Sequence, residues 1–194
     1  MSKSEGSATK AGRKKYTRWV ITIFLATIFI SGIISALSDL IMANTNMVIA
    51  FSILLVIILV GVLFDVIGMA VASADEKPFH SMAARKVPGA TEAIKLLRNA
   101  ERVSSICNDV IGDICGVVSG GASATIAVQI ISHFQCSLPQ IVSLLMSALA
   151  AGLTVGGKAI GKSFAVNSST AIVYTVGKVI AKFHSVTSIF RKNK

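Results

Sequence analysis

The sequence predicts an all-α fold: a polytopic membrane helix bundle of four spans, with a cytoplasmic juxtamembrane helix and a C-terminal interfacial amphipathic helix. Composition is the first reason. Of the 194 residues 53% are hydrophobic and 14% charged, with a mean hydropathy of +0.74, too apolar for an ordinary water-soluble domain. Charge placement is the second. No Lys or Arg occurs from residue 19 to 76 or from 103 to 157, so all 19 basic residues fall in the blocks 3–18, 77–102 and 158–194. Length is the third. A helix needs about 20 residues to cross roughly 30 Å of hydrocarbon, and each stretch free of basic residues is more than twice that long.

Residues 1–18 read as a basic cytoplasmic tail without regular structure, because Ser, Lys, Gly and Ala recur there with no apolar periodicity. The four-span domain occupies 19–165. Its first span, 19–37, opens at Tyr16, Arg18 and Trp19, a suitable interfacial anchor. The apolar run is too long for a signal-peptide core, and Ser35-Ala36-Leu37-Ser38 is a poor cleavage site, so the segment is expected to remain as an anchor. Ser38-Asp39 and Asn44-Thr45-Asn46 divide this span from the second, 47–73.

The loop 75–102 holds a helical pattern. Ala93, Ile94, Leu96, Leu97 and Ala100 alternate with Glu92, Lys95, Arg98 and Glu101, and Pro88-Gly89-Ala90-Thr91 supplies a turn and a candidate N-cap. The third span is 105–131 and the fourth 138–157, separated at 133–137, with Pro139 opening the last. In 166–194, Ile172, Val176, Val179, Ile180, Phe183, Val186 and Phe190 recur at three- and four-residue steps, with Lys178, Lys182 and Ser185 between them. This predicts a helix lying in the inner interface against anionic lipid headgroups. A fifth span would bring Lys178 and Lys182 to mid-membrane at a cost of several kcal/mol.

Because Lys and Arg mark the inner side, this distribution predicts a multi-pass protein of the cell membrane with both termini cytoplasmic. The net charge of +10 is then explained by topology, and no nucleic-acid partner is expected. Cys107, Cys115 and Cys136 form no C-x-x-C pair, so neither a disulfide framework nor a zinc site follows. His80, His133 and His184 fall on three different segments, and no set of nucleophile, base and orienting group is visible, so no enzyme activity is expected.

The candidate site residues are polar groups at membrane depth. Asp65 lies within the second span, and Asn108, Asp109 and Asp113 within the third, where Asp109 and Asp113 are four apart and predicted to share a helix face. Intramembrane carboxylates face a bundle interior, water or a cation, and their oxygens suit magnesium, calcium or manganese. The plainer alternative is that Asp109 and Asp113 cap or hydrate a helix end, while Asp65 hydrogen-bonds a neighbouring helix. Small-x-x-x-small spacings run from Gly112 through Gly116 to Gly120, and Gly152, Gly156, Gly157 and Gly161 follow in the fourth span, permitting close helix approach or dimerisation.

The order of these features resembles the transmembrane domain of the cyclin M/CorC (HlyC/CorC-like) family, over roughly residues 48–185. Phe64-Asp65-Val66-Ile67-Gly68-Met69-Ala70 is similar to that family's F-S-x-x-E-T-A pattern, and Asn108-Asp109-Val110-Ile111-Gly112-Asp113 to its G-N-x-x-x-N pattern. Gly157-Lys158-Ala159-Ile160-Gly161-Lys162-Ser163-Phe164-Ala165 resembles the closing G-E-x-x-P-K-S/T-x-A element. Asp65 and Asp109 stand where the family has a cation-lining Ser and Asn, and Gly68, Lys158 and Gly161 replace a Glu, a Glu and a Pro. A span precedes the matching region, and the family's paired nucleotide-sensing CBS domains do not follow within these 194 residues. The resemblance implies a homodimer that transports or permeates a divalent cation such as Mg2+ or cobalt, with Asp65, Asn108, Asp109 and Asp113 nearest the ion. The alternative expectation is a non-transporting scaffold or accessory subunit that binds another membrane protein.

Overall fold

The computed structural model describes residues 5–43, 45–134 and 138–192, with side-chain surroundings for 20–42, 45–134 and 138–184. Every element in these ranges is helical. The order is α1 (Glu5–Ala43), α2 (Met47–Ser73), α3 (Lys77–Ala84), α4 (Ala90–Arg98), α5 (Ala100–Ser105), a π-helical segment (Ile106–Gly112), α6 (Asp113–Phe134), α7 (Pro139–Asn167) and α8 (Ser169–Lys192). Four stretches are long and apolar enough to cross a membrane: Val20–Met42, Met47–Ser73, Ala100–Phe134 and Pro139–Asn167. The expected anchor at Tyr16 and Trp19, Cys136, and the apolar positions Val186 and Phe190 lie outside the described side chains.

Several boundaries differ from the sequence expectation. Helix α1 begins at Glu5 and so takes in most of the basic stretch read as an unstructured tail; Ala, Lys, Arg and Glu are good helix formers, and an existing helix extends one bond per residue. At its other end α1 runs through Ser38-Asp39, which do not divide the spans. The Ser38 hydroxyl donates to Met42 Sδ at 3.6 Å one turn on, and Asp39 Oδ1 accepts from Thr125 Oγ1 at 3.4 Å, so both residues are used inside the helix. Helix α7 continues ten residues past the expected end at 157, to Asn167. Each internal glycine costs a helix about 1 kcal/mol, offset here by the contacts that two of them allow.

Helices α2, α6 and α7 pack against one another in a triangle, and α1 lies against α6. Glycines set the spacing. A Cβ on Gly157 would come within 2.9 Å of Val62 Cγ2, and one on Gly161 within 2.6 Å of Val66 Cγ2, so the Gly157–Gly161 edge of α7 lies directly on the Val62–Val66 edge of α2. A Cβ on Gly61 would meet Cys115 Cβ at 2.8 Å, fixing the approach of α2 to α6 in the same way. By contrast Gly116, Gly120, Gly152 and Gly156 face open space. The predicted small-residue pattern is thus divided between internal packing and an unoccupied surface.

Two apolar cores result. One joins Met42, Leu54, Ile58, Ile126 and Met146, towards the end of the bundle where α1 stops and α2 begins. The other, towards α3, α4 and α8, joins Val71, Phe79, Ala93, Ala165 and Val173. Large apolar side chains also point outward along the spans, among them Phe29, Leu40, Val48 and Leu144. A water-facing surface does not carry such a continuous apolar belt.

The turn before α4 is capped by Gly89 at φ 89°, in the left-handed region, rather than by a side-chain oxygen from Thr91. Gly89 also lies against α8, since a Cβ there would come within 2.6 Å of the Lys178 backbone, and one on Gly177 within 2.5 Å of Gly89 O. Helix α8 is therefore docked on α4 and the end of α2 through Val173 and Gly177, both buried. Replacing Gly161 by Leu should separate α7 from α2, and thermal unfolding of the purified protein is expected to show about 1–3 kcal/mol of destabilisation. The same change at the open Gly156 should not destabilise, and should gain up to about 1 kcal/mol as the helix loses a glycine.

Candidate functional site

The close α2–α7 contact determines which polar side chains meet. Val62 and Val66 flank Asp65 on α2, while Gly157 and Gly161 flank Lys158 on α7, so seating the glycines on the valines brings the carboxylate to the ammonium. Lys158 Nζ is 3.7 Å from Asp65 Oδ1 and 3.7 Å from Asp113 Oδ1. One cation thus joins acids from two other helices. The trio lies between the two cores: Asp65 falls between Ile58 and Ala70 on α2, and Lys158 between Met146 and Ala165 on α7.

Exposure distinguishes the partners. The side chains of Asp65 and Lys158 are 16% and 24% exposed, whereas that of Asp113 is 69% exposed, so the group opens to the surface on the α6 side. At 3.7 Å neither contact has hydrogen-bond length, and the attraction is coulombic rather than directional. A pair at about 4 Å is worth roughly 1 kcal/mol in water and about 4 kcal/mol at the effective dielectric typical of proteins. The inner contact to Asp65 therefore outweighs the outer one to Asp113.

The backbone next to this group is π-helical from Ile106 to Gly112. Such a segment shifts hydrogen bonding to i→i+5, widens the turn, and interrupts α-helical register. Asp109 and Asp113, expected to act together on one face, do different things: Asp113 contacts Lys158, while Asp109 accepts from Ser105 Oγ at 2.7 Å on its own helix. Asp109 is exposed and outside the trio. Gly112 closes the segment, buried, where a Cβ would be 3.3 Å from Lys158 Nζ and 3.6 Å from Asp65 Oδ1. A larger residue at 112 would crowd the ammonium.

Asn108 occupies a separate place. Its Oδ1 is buried without a hydrogen-bond partner and lies so close to Gly68 that a Cβ there would overlap it. Gly68 follows Asp65 by one turn of α2, so this free acceptor sits next to the ion group along that helix. Orphaned buried carbonyl oxygens are uncommon and costly unless a proton donor or cation answers them.

Of the four expected site residues, the structure brings Asp65 and Asp113 together through Lys158, leaves Asn108 one turn away, and places Asp109 apart. Lys158 itself was read as part of the basic block beyond the fourth span. The sequence signal that could have identified it is its position: it is the first basic residue after 103–157, and three acids, Asp65, Asp109 and Asp113, lie in the second and third spans with no basic residue in the same apolar stretch. Among the described residues no three His, Cys, Asp or Glu side chains cluster so as to hold a metal ion. Cys107 and Cys115 are free thiols, Cys107 buried and Cys115 packed on Gly61. Compared with family models, curated proteins and solved structures, the chain matches none.

The exposures order the couplings. A double-mutant cycle in thermal unfolding between Asp65→Asn and Lys158→Gln should give an interaction of about 1–3 kcal/mol. The cycle of Asp113→Asn with Lys158→Gln should give less than about 1 kcal/mol, as for an exposed pair.

Proposed function

We propose that the protein is a divalent-cation transport or permeation protein of the cytoplasmic membrane, with Asp65 and Asp113 as its ion-facing carboxylates. The observation that carries this reading is the meeting of Asp65, Lys158 and Asp113 across three helices within stretches long enough to cross a membrane. Ionisable groups at such depth are expensive, and their usual use is in ion pathways. The partnerless Asn108 oxygen adds a neutral hard donor nearby. The resemblance to the cyclin M/CorC transmembrane domain bears on the same choice at Asp65, which stands where that family has a cation-lining Ser, although Asp109, at the other such position, lies outside the trio and Lys158 stands where the family has a Glu.

In this reading the loop bearing α3 and α4, helix α8 and both termini are cytoplasmic, and the basic side of α8 meets anionic headgroups. A second copy of the chain would pack on the open small-residue face, where a groove of about 250 Å³ is lined by Gly116, Ser119, Gly120, Ser147, Ala151 and Thr154. A second function is favoured by one specific feature. Lys158 already compensates the acids, as it would in a non-transporting scaffold where the trio only pins three helices together.

Reconstituted vesicles loaded with a magnesium-sensitive dye separate the two. The parent protein should carry Mg2+, and Asp65→Asn should reduce the rate at least about tenfold, the loss expected of a directly contacting carboxylate. A parent protein that carries no divalent ion would leave the scaffold reading. Sidedness is read independently: with Cys107, Cys115 and Cys136 replaced by Ser, a cysteine at Thr45 should be labelled only from outside the cell and one at Ser81 only from inside, and labelling of both from one side would overturn the topology.

A further inference from the structure

We propose that Lys158 is a tethered counter-cation, which a divalent ion must displace from Asp65 and Asp113 in order to bind and which returns to the carboxylates to expel that ion. This inference rests on the transport reading of the same site and specifies how it is gated. The ammonium lies 3.7 Å from one oxygen of each acid, within coulombic attraction but beyond hydrogen-bond length. It is held chiefly by charge, with no direct hydrogen bond to either carboxylate to break. Its stem is a flexible four-carbon chain whose charged end can swing towards water, and the site opens on the Asp113 side.

Charge arithmetic makes the lysine selective. The two carboxylates carry two negative charges, and one ammonium leaves a net single negative charge. A monovalent ion that replaced Lys158 would compensate the pair no better than the lysine already does. A divalent ion neutralises both acids at once, and carboxylate oxygens are ligands suited to such an ion. Gly112 leaves the space beside the ammonium clear of a side chain, while Gly157 and Gly161 hold the lysine's helix close to Asp65. When the ion has to leave, the attached cation is present at high effective concentration to take its place.

The test uses the full chain in detergent and in vesicles, with Mg2+ as the probe. Lys158→Gln should unfold at a lower temperature than the parent without divalent ions, and Mg2+ should restore it with an apparent affinity at least about tenfold tighter than the parent's. Lys158→Arg, which keeps a positive charge in place, should respond to Mg2+ no more strongly than the parent, and the double change Asp65→Asn with Lys158→Gln should lose the response. A Lys158→Gln protein with the parent's Mg2+ response overturns the proposal. If that variant is not recovered folded, Lys158→Arg decides, and a tighter Mg2+ response than the parent's then overturns it. Flux separates the two levels of inference. Parent flux with unchanged affinity in Lys158→Gln sinks the counter-cation and spares transport, whereas tightened Mg2+ binding without flux in either protein upholds the counter-cation and sinks transport.

Discussion

An unpaired charge in an apolar surrounding is so unfavourable that a chain either excludes it or builds a partner for it. Both solutions are present here. Lys and Arg are absent from two long stretches, and the helices formed by those stretches turn large apolar side chains outward. The exception is the inner group, where Asp65 would be a lone carboxylate but for Lys158. Seating that lysine requires α7 to approach α2 closely, which in turn requires Gly157 and Gly161 opposite Val62 and Val66. The helix packing and the ion group are therefore one arrangement, because the spacing that satisfies the glycines also aligns the charges.

The π-helical segment belongs to the same arrangement. Asp109 and Asp113 are four apart, close to one turn in an α-helix and in the wider π turn across Ile106–Gly112 alike, so spacing alone does not separate them. Their partners do: Asp113 contacts Lys158, while Asp109 is answered locally by Ser105. The π segment ends at Gly112, where a Cβ would lie 3.3 Å from the ammonium. Rare backbone geometry beside an ion group is consistent with the observation that π segments tend to occur at functional positions.

The four apolar helices were legible because hydropathy and charge exclusion are properties of composition over about 20 residues, insensitive to which helix packs on which. Boundaries were less so. Ser38 and Asp39 look like a break, yet Met42 and Thr125 satisfy them inside α1, and Thr125 is a partner 86 positions away. The fourth span ends at 157 in the sequence because the basic block begins at Lys158, whereas the helix runs on to Asn167 once Asp65 and Asp113 compensate that lysine. The site was half legible for the same reason. Asp65 and Asp113 stand out as acids in apolar sequence, but the role of Lys158 depends on the α2–α7 contact, and the difference between Asp109 and Asp113 depends on which side chains come within reach of each.

The contrast between the two carboxylates bears on mechanism. Asp65 is enclosed and Asp113 open, though both lie 3.7 Å from one nitrogen. Attraction to the enclosed acid is screened less, so the ammonium is held chiefly by Asp65 and, in the proposed exchange, would be released first from Asp113. A cation arriving from the open side would meet Asp113 while Lys158 still compensates Asp65, so the deeper acid need not be left uncompensated during the exchange. A buried pair without the exposed third member would have no such intermediate, since removing its cation would leave a bare charge in an apolar surrounding. Under the proposed exchange, two acids of unequal exposure sharing one tethered cation would provide a stepwise route that a simple salt bridge would oppose.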